Sequence, residues 1–220
     1  MDVYDAVATR RAVRCFLGKE VPRQALTRVL AAAAHAPSGG NLQPWHSFVV
    51  SGSALSALKA TVATRLAAGD EGDEREFEMY PRHLQSPYKE RQVRAAQQRY
   101  SAHGIAREDT DARRRFVARN WDCFGAPCAL FCYIDAQMGA AQWADVGMYL
   151  QTVMLLLRAE GLHSCPQMAW SVYRTSVTEV VKPADGLLLY CGLSIGFEDP
   201  RAKLVAVERA PLDETVAFVA

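Results

Sequence analysis

Neither sign of charge predominates in this 220-residue chain, where 25 Lys and Arg face 24 Asp and Glu for a formal net charge of +1. That balance excludes the broad basic field of a nucleic-acid-binding domain and leaves no acidic tail, so partners must be read locally. No apolar run approaches the roughly 18 residues that a membrane span requires. The opening residues, Met1-Asp2-Val3-Tyr4-Asp5, carry acids where a secretory signal has its apolar core. The six cysteines, at 15, 123, 128, 132, 165 and 191, contain no C-x-x-C pair. Cys123, Cys128 and Cys132 lie close in sequence, but no histidine accompanies them and two fall in an apolar run. Core thiols of a reduced, cytoplasmic protein are the simplest account. The familiar catalytic signatures are missing too. The five histidines form no H-E-x-x-H or H-x-x-x-H pair, there is no G-x-S-x-G elbow, and Gly39-Gly40 fits neither a dinucleotide fingerprint nor a P-loop. An enzyme made from this chain needs a bound cofactor to do its chemistry.

What is present begins with Arg10-Arg11-Ala12-Val13-Arg14, three cations in five residues. Clustered like charges repel, and arginine presents a planar fork that matches phosphate oxygens in pairs. The segment reads either as a solvated basic turn or as an anion site. Before it, Asp2 can cap a short helix with Val3, Ala6 and Val7 on its apolar face. After it, Val21-Pro22 opens a second helix that buries Leu26, Val29, Leu30, Ala33 and Ala34 and stops at Ala36-Pro37. The loop Pro37-Ser38-Gly39-Gly40-Asn41-Leu42-Gln43-Pro44-Trp45 then offers glycines for close backbone approach and short polar side chains for hydrogen bonds, unless it only connects the helix to the strand-like His46–Val50. A helix follows over 54–66.

Between Asp70 and Asn120 there are 21 charged residues in 51 positions, nearly twice the density of the whole chain, starting with an acidic run over 70–78. The segment reads as an insertion or lid of short helices outside the main core, with a solvated charged surface. Beyond it come a strand over 129–134, a helix over 142–160 that is apolar on nearly every side, an extended or turning segment over 164–170, a helix over 172–181 and a strand over 187–195. A further strand is expected over Leu204–Val207, and Pro211–Ala220 suits an edge strand or an arm onto a partner. A helix apolar all round must be covered all round, which in so small a chain points to a second subunit.

Four landmarks carry a resemblance. Arg10-Arg11-Ala12-Val13-Arg14-Cys15-Phe16, Ala36 through Trp45, Gly161-Leu162 followed by Pro166, and Arg209-x-Pro211 resemble, in order, the nitroreductase family of FMN-dependent enzymes. The resemblance implies an α+β fold in a single domain over 1–220, with a central mixed sheet flanked by helices and a helical lid over 70–120. It also implies a homodimer with two flavin sites at the subunit interface. Arg10, Arg11 and Arg209 would hold the FMN phosphate, and Arg14 would face the N1 and O2 edge, where a cation stabilises reduced flavin. Pro37, Ser38, Gly39 and Asn41 would line the ring and ribityl chain, while Cys165, Pro166, Gln167 and Met168 would pass its N5 edge. Ala12 replaces a serine that some members place on the phosphate, and Cys165 a threonine. The implied activity is ping-pong hydride transfer from NADH or NADPH through flavin N5 to a nitroaromatic or similar electron-poor acceptor. Reductive dehalogenation, dehydrogenation of a metabolite, or flavin binding without turnover are the alternatives on the same site.

Overall fold

The computed structural model describes residues 1–203, 205 and 207–219. They fall into two compact units, one of residues 1–77 and 118–200, the other of residues 78–117 and 201–220.

The larger unit is organised around one strand. β2 (Cys128–Asp135) is buried at seven of its eight positions, as an apolar run covered on both faces must be. β1 (Trp45–Ser51) and β4 (Leu187–Gly196) pair with it, and β3 (His163–Gln167) completes the sheet in the order β1-β2-β4-β3. Successive side chains of a strand point to opposite faces. Leu130, Cys132 and Ile134 accordingly meet α2 (Arg23–Ala33) and α6 (Ala140–Ala159), while Ala129, Phe131 and Tyr133 meet α3 (Gly52–Ala67) and α7 (Arg174–Val181). Helices thus flank both faces, in the α+β arrangement expected.

α1 (Val3–Thr9) starts where Asp2 Oδ1 accepts the Asp5 N–H at 2.8 Å, satisfying one of the donors that a helix start leaves open. Of its three expected core positions only Ala6 is buried, and Val3 and Val7 are exposed. α6 starts at Gly139, whose N–H is bonded by Gln142 Oε1, and its buried stripe includes Val146, Tyr149, Leu150, Val153 and Leu157.

Three expectations need correction. The sheet is antiparallel at each of its strand pairs, and parallel pairing enters only as an isolated bridge between Ala12 and Ser164. The mixed character therefore belongs to the arginine segment lying against β3, because Ala12 has a single bridge partner there and no strand of its own. The helix expected from 172 starts at Arg174, since Met168–Tyr173 winds as a tighter 3-10 turn around the buried Trp170.

The acidic run, finally, is a solvated surface only in part, because Glu71, Glu74 and Glu78 are exposed while Asp70 and Asp73 are tied into the fold. Arg65 on α3 donates from Nε to Asp70 Oδ2 at 2.6 Å, and from Nη2 to Asp73 Oδ1 at 2.7 Å. Asp73 Oδ2 also takes the Thr175 N–H at 2.7 Å. Gly72 at φ +105° lies so close to Val172 that an added Cβ would sit 2.3 Å from its side chain. Residues 70–77 are thereby built into the larger unit.

In the smaller unit, α4 (Tyr88–Ala102) and α5 (Thr110–Ala118) pack through Tyr100 and Phe116, whose ring centroids lie 5.7 Å apart edge to face. Ion pairs from Arg91 to Glu214 at 2.7 Å and from Arg94 to Glu208 at 3.3 Å tie the C-terminal segment to α4. Leu204 and Ala206 of the expected strand over 204–207 lie outside the described residues, as does Ala220. Residues 211–219 form a 3-10 turn at Leu212–Glu214 and no strand, with Phe218 and Val219 exposed.

No helix among the described residues is long and apolar enough to cross a membrane. Nor do the described residues group three or more potential metal ligands. None of the six cysteines is in a disulfide, and five of them are buried.

Candidate functional site

α1 ends at Arg10, so the arginine segment runs extended rather than helical. It is stitched to β3 by the Ala12–Ser164 bridge and by the Val13 N–H donating to the Ser164 carbonyl at 3.0 Å. Each guanidinium has its own environment. Arg11 forms an ion pair with Glu198 and lies 3.5 Å from the Thr9 carbonyl. Arg14 reaches the Ala12 carbonyl at 3.3 Å and lies 5.9 Å from the centre of the Phe124 ring. The half-buried Arg10 hydrogen-bonds to no described residue through its side chain, which leaves all of its donors for something else.

Behind Arg11 lies a group that sequence reasoning did not single out. Arg158 on α6 donates from Nη1 to His163 Nε2 and to the Leu162 carbonyl, both at 2.9 Å, and its Nε is 3.4 Å from Thr9 Oγ1. Glu198 Oε2 is 3.4 Å from His163 Nε2. Because Arg158 can only donate, Nε2 is the accepting nitrogen and the imidazole is neutral with its proton on Nδ1. Burial first, then the charge of Arg158, pushes the His163 pKa down to about 4 against the pull of Glu198. Among the described residues, the buried His163 Nδ1 finds no hydrogen-bond partner.

β3 continues the site. Cys165 is a buried thiol, as a core reading predicts, and Pro166 is exposed beside it. Gln167 turns its side chain into the core, which leaves its backbone as the part of it that could pass a ring edge. Its Nε2 donates to the Asn120 carbonyl at 2.6 Å and lies 3.3 Å from Asn120 Oδ1, and Ser194 Oγ donates to its Oε1. Met168 is half-buried and begins the 3-10 turn.

The loop with Pro37, Ser38, Gly39 and Asn41 lies elsewhere on the unit. Ser38 Oγ accepts the Gln43 N–H at 2.9 Å, and Gly39 to Asn41 form a short 3-10 turn. Asn41 and Gln43 hold positive φ of 57° and 50°, a conformation few non-glycine residues adopt. The Gly39 N–H donates to Asp145 Oδ2 on α6 at 3.1 Å. This loop is therefore fastened to α6 at Asp145, and the arginine segment is held near the same helix at Arg158. Thirteen residues separate the two points, roughly 20 Å along a helix axis. Arg209 belongs to the smaller unit, where Nη1 donates to the Val207 carbonyl at 2.9 Å and the side chain lines a cleft of about 520 Å³ against α4.

The structure thus brings Arg10, Arg11, Ala12 and Arg14 together with Ser164 through Met168, and keeps Pro37 to Asn41 apart from them within one chain. The residues overlooked in sequence, Asp145, Arg158, His163, Asn120, Ser194 and Glu198, are polar groups set among apolar ones. Asp145 and Arg158 stand out only as charges on a helix otherwise almost wholly apolar, which was the available signal.

Known proteins share this arrangement. A family model described as "Nitroreductase family" matches residues 7–197. The chain is 34% identical to a 4-nitrobenzoate reductase of Pseudomonas putida over 99% of this chain and 94% of that protein. Its fold matches the crystal structure of an FMN and NADPH-dependent nitroreductase NfnB from Sphigopyxis sp. strain HMH with a TM-score of 0.96, at 40% identity and with both chains fully covered. It also matches the FMN-dependent nitroreductase NfnB from Mycobacterium smegmatis, solved in complex with NADPH, with a TM-score of 0.92, at 33% identity and again over both full chains. A four-stranded antiparallel sheet with an arginine segment sewn to its β3 edge, matched from end to end by these proteins, makes this chain a member of the nitroreductase family.

Proposed function

We propose that this protein is an FMN-dependent NAD(P)H oxidoreductase that reduces nitroaromatic acceptors, the class named for its relatives. The observation that supports it most directly is the uncommitted Arg10 guanidinium on a segment fixed against β3. The donor set fits the cofactor. A phosphate monoester bears nearly two negative charges, and a half-buried guanidinium with all its donors unspent matches it in charge and in fork geometry. Arg10 would hold the phosphate, assisted by the donors Arg11 has left after its bond to Glu198. Arg14 would place a fixed positive charge at the pyrimidine edge of the ring.

FMN, when bound, would supply the two-electron hydride chemistry that links NADH or NADPH to the acceptor in two half-reactions. The protein contributes position and electrostatics to that exchange. Pro166 and Met168 would border the ring from β3, and no side chain acts as acid or base. The charged segment that contains α4 and α5 would cover the acceptor.

The site is complete only in a homodimer. Roughly 20 Å of α6 separate the loop over Pro37–Asn41 from the arginine segment, so the loop of one chain serves the flavin held by the arginines of the other. Apolar residues left open on the larger unit, Val3, Tyr4 and Val7 on α1 and Met148 on α6, are suited to the contact between copies. Cysteines held outside disulfides fit a cytoplasmic location.

One experiment tests the function as a whole. Purified protein should be yellow and dimeric, bleach anaerobically on addition of NADPH or NADH, and regain its colour rapidly when a nitroaromatic such as 4-nitrobenzoate is added. Flavin that neither nicotinamide reduces would leave only a binding module, and reoxidation by halogenated aromatics alone would transfer the reading to dehalogenation.

A further inference from the structure

We infer that Gln167 is a positioning residue, which holds the stretch from Pro166 to Ala169 in place through a buried amide network rather than by touching a ligand. The inference rests on the proposed flavin site, because that stretch is the one assigned to the edge of the ring.

β3 is the last strand of the sheet, pairing with β4 along one side and, on the other, meeting the arginine segment through the single bridge at Ser164. The end of an edge strand is where a chain frays most easily, and here it must turn at once into the 3-10 turn Met168–Tyr173. Gln167 stands opposite Gly192 on β4, and Ser194 lies two residues along on the same face. All of the amide's principal bonding capacity is used inward. Nε2 faces the Asn120 carbonyl at 2.6 Å and Asn120 Oδ1 at 3.3 Å, and Oε1 accepts from Ser194 Oγ. Gln167 and Ser194 are buried, at 3% and 0% exposure. A buried network of this kind specifies one arrangement, and removing one member loosens the hold on the others.

The neighbouring residues are fixed in the same sense. Trp121 Nε1 donates to the Ala169 carbonyl at 3.1 Å. Trp170 occupies the space above Gly192, where an added Cβ would come within 2.4 Å of its indole. Tyr173 Oη donates to the Asp70 carbonyl at 2.7 Å. Gln167 and Trp170 are thus drawn inward, while Pro166 is exposed and Met168 partly so. The side chains that face the core set where the outward backbone lies.

Glutamine is required on this account. A glutamate would set an acceptor against the Asn120 carbonyl, and a leucine would take the amide donor from that carbonyl, which also accepts the Cys123 N–H at 3.0 Å, and the amide acceptor from the Ser194 hydroxyl. The test titrates apoprotein with FMN, following quenching of flavin fluorescence and the fine structure of the visible bands, with the melting temperature of the apoprotein recorded separately. Gln167→Leu should weaken FMN binding about tenfold and alter the band structure. Ser194→Ala, a smaller change at the other end of the network, should weaken binding by about threefold. Asn120→Ala should stay within about twofold of wild type, because the short bond is made to its backbone carbonyl.

A folded Gln167→Leu or Ser194→Ala protein with wild-type FMN affinity and wild-type bands, whatever its melting temperature, would overturn the positioning role. If Gln167→Leu does not fold, Ser194→Ala decides alone. Wild-type protein that takes up no FMN would defeat the flavin reading and this inference together, whereas wild-type protein that binds FMN indistinguishably from its variants would defeat this inference only.

Discussion

The acidic run over 70–78 and the basic segment over 10–14 carry the same kind of signal in the sequence, a cluster of one sign, and they meet opposite fates in the fold. The acidic run is answered from within. Arg65 lies between Asp70 and Asp73, stacks on the Tyr173 ring at 4.8 Å and reaches Ser176 Oγ at 3.0 Å. Burial pushes the Asp73 carboxyl upward most strongly, yet the bonds from Arg65 and Thr175 prevail and hold it below the ordinary aspartate value. The Asp70 carboxyl is lowered first by Arg65 and then by the Gly72 N–H. The basic segment is answered only in part, with Arg11 paired to Glu198 while Arg10 has no partner among the described residues. A charge cluster neutralised by its own chain is structure, and one left open awaits a ligand of opposite sign.

The largest effect expected from that contrast is on stability. Asp73→Ala removes the acceptor of one Arg65 bond and of the Thr175 N–H, and leaves a partly buried guanidinium short of a partner. The cost should be about 3 kcal/mol, a fall in melting temperature of roughly 6–12 °C for a chain of this size. FMN affinity should change less than about threefold, because the residue answers a charge inside the fold. A calorimetric scan of the apoprotein beside an FMN titration checks both halves. An unchanged melting temperature would mean that the acidic run is solvated after all, as its composition first suggested.

Next in size is an effect confined to acid, at the group that backs Arg11. Folded His163 has its pKa near 4, below the unfolded histidine value of about 6.5, so the unfolded chain takes up a proton that the folded one refuses. Stability from this group is complete above about pH 6.5 and declines as pH falls toward 4, by at most about 3 kcal/mol. His163→Gln retains an acceptor for Arg158 without the titration, so unfolding free energies measured from pH 7 to 4 should fall less steeply in the variant. Parallel curves would show that burial and the charges of Arg158 and Arg11 do not hold the imidazole neutral.

How much of this was legible beforehand follows from the range of the forces involved. β2, α6 and the stop at Ala36-Pro37 could be read because apolar periodicity and proline are local signals, and the arginine segment because charge density is local too. The turn at Met168–Tyr173 could not, since it depends on Trp170 meeting Gly192, a contact between residues 22 positions apart. Nor could the fate of the acidic run, because Arg65 and Thr175 approach Asp73 from separate helices. The inward turn of the Gln167 side chain was not legible either, because the parity of a five-residue strand depends on its register with β4. The polar residues that hold the site together, Asp145, Ser194 and Glu198, are each single residues in unremarkable surroundings, and only their partners show what they do.

The smallest effect in free energy bears most directly on the contrast. Arg10→Ala removes a side chain that hydrogen-bonds to nothing among the described residues, so the melting temperature of the apoprotein should stay within about a degree of wild type, as for substitutions away from built contacts. FMN affinity should fall roughly tenfold to a hundredfold, the range for losing a charge-assisted contact to a phosphate. Riboflavin, which lacks the phosphate, supplies the control, since its weaker binding should be the same in wild type and variant. Equal losses of FMN and riboflavin affinity would place Arg10 away from the phosphate, and a large loss of apoprotein stability would mean that this guanidinium is answered within the chain as fully as the carboxylate of Asp73.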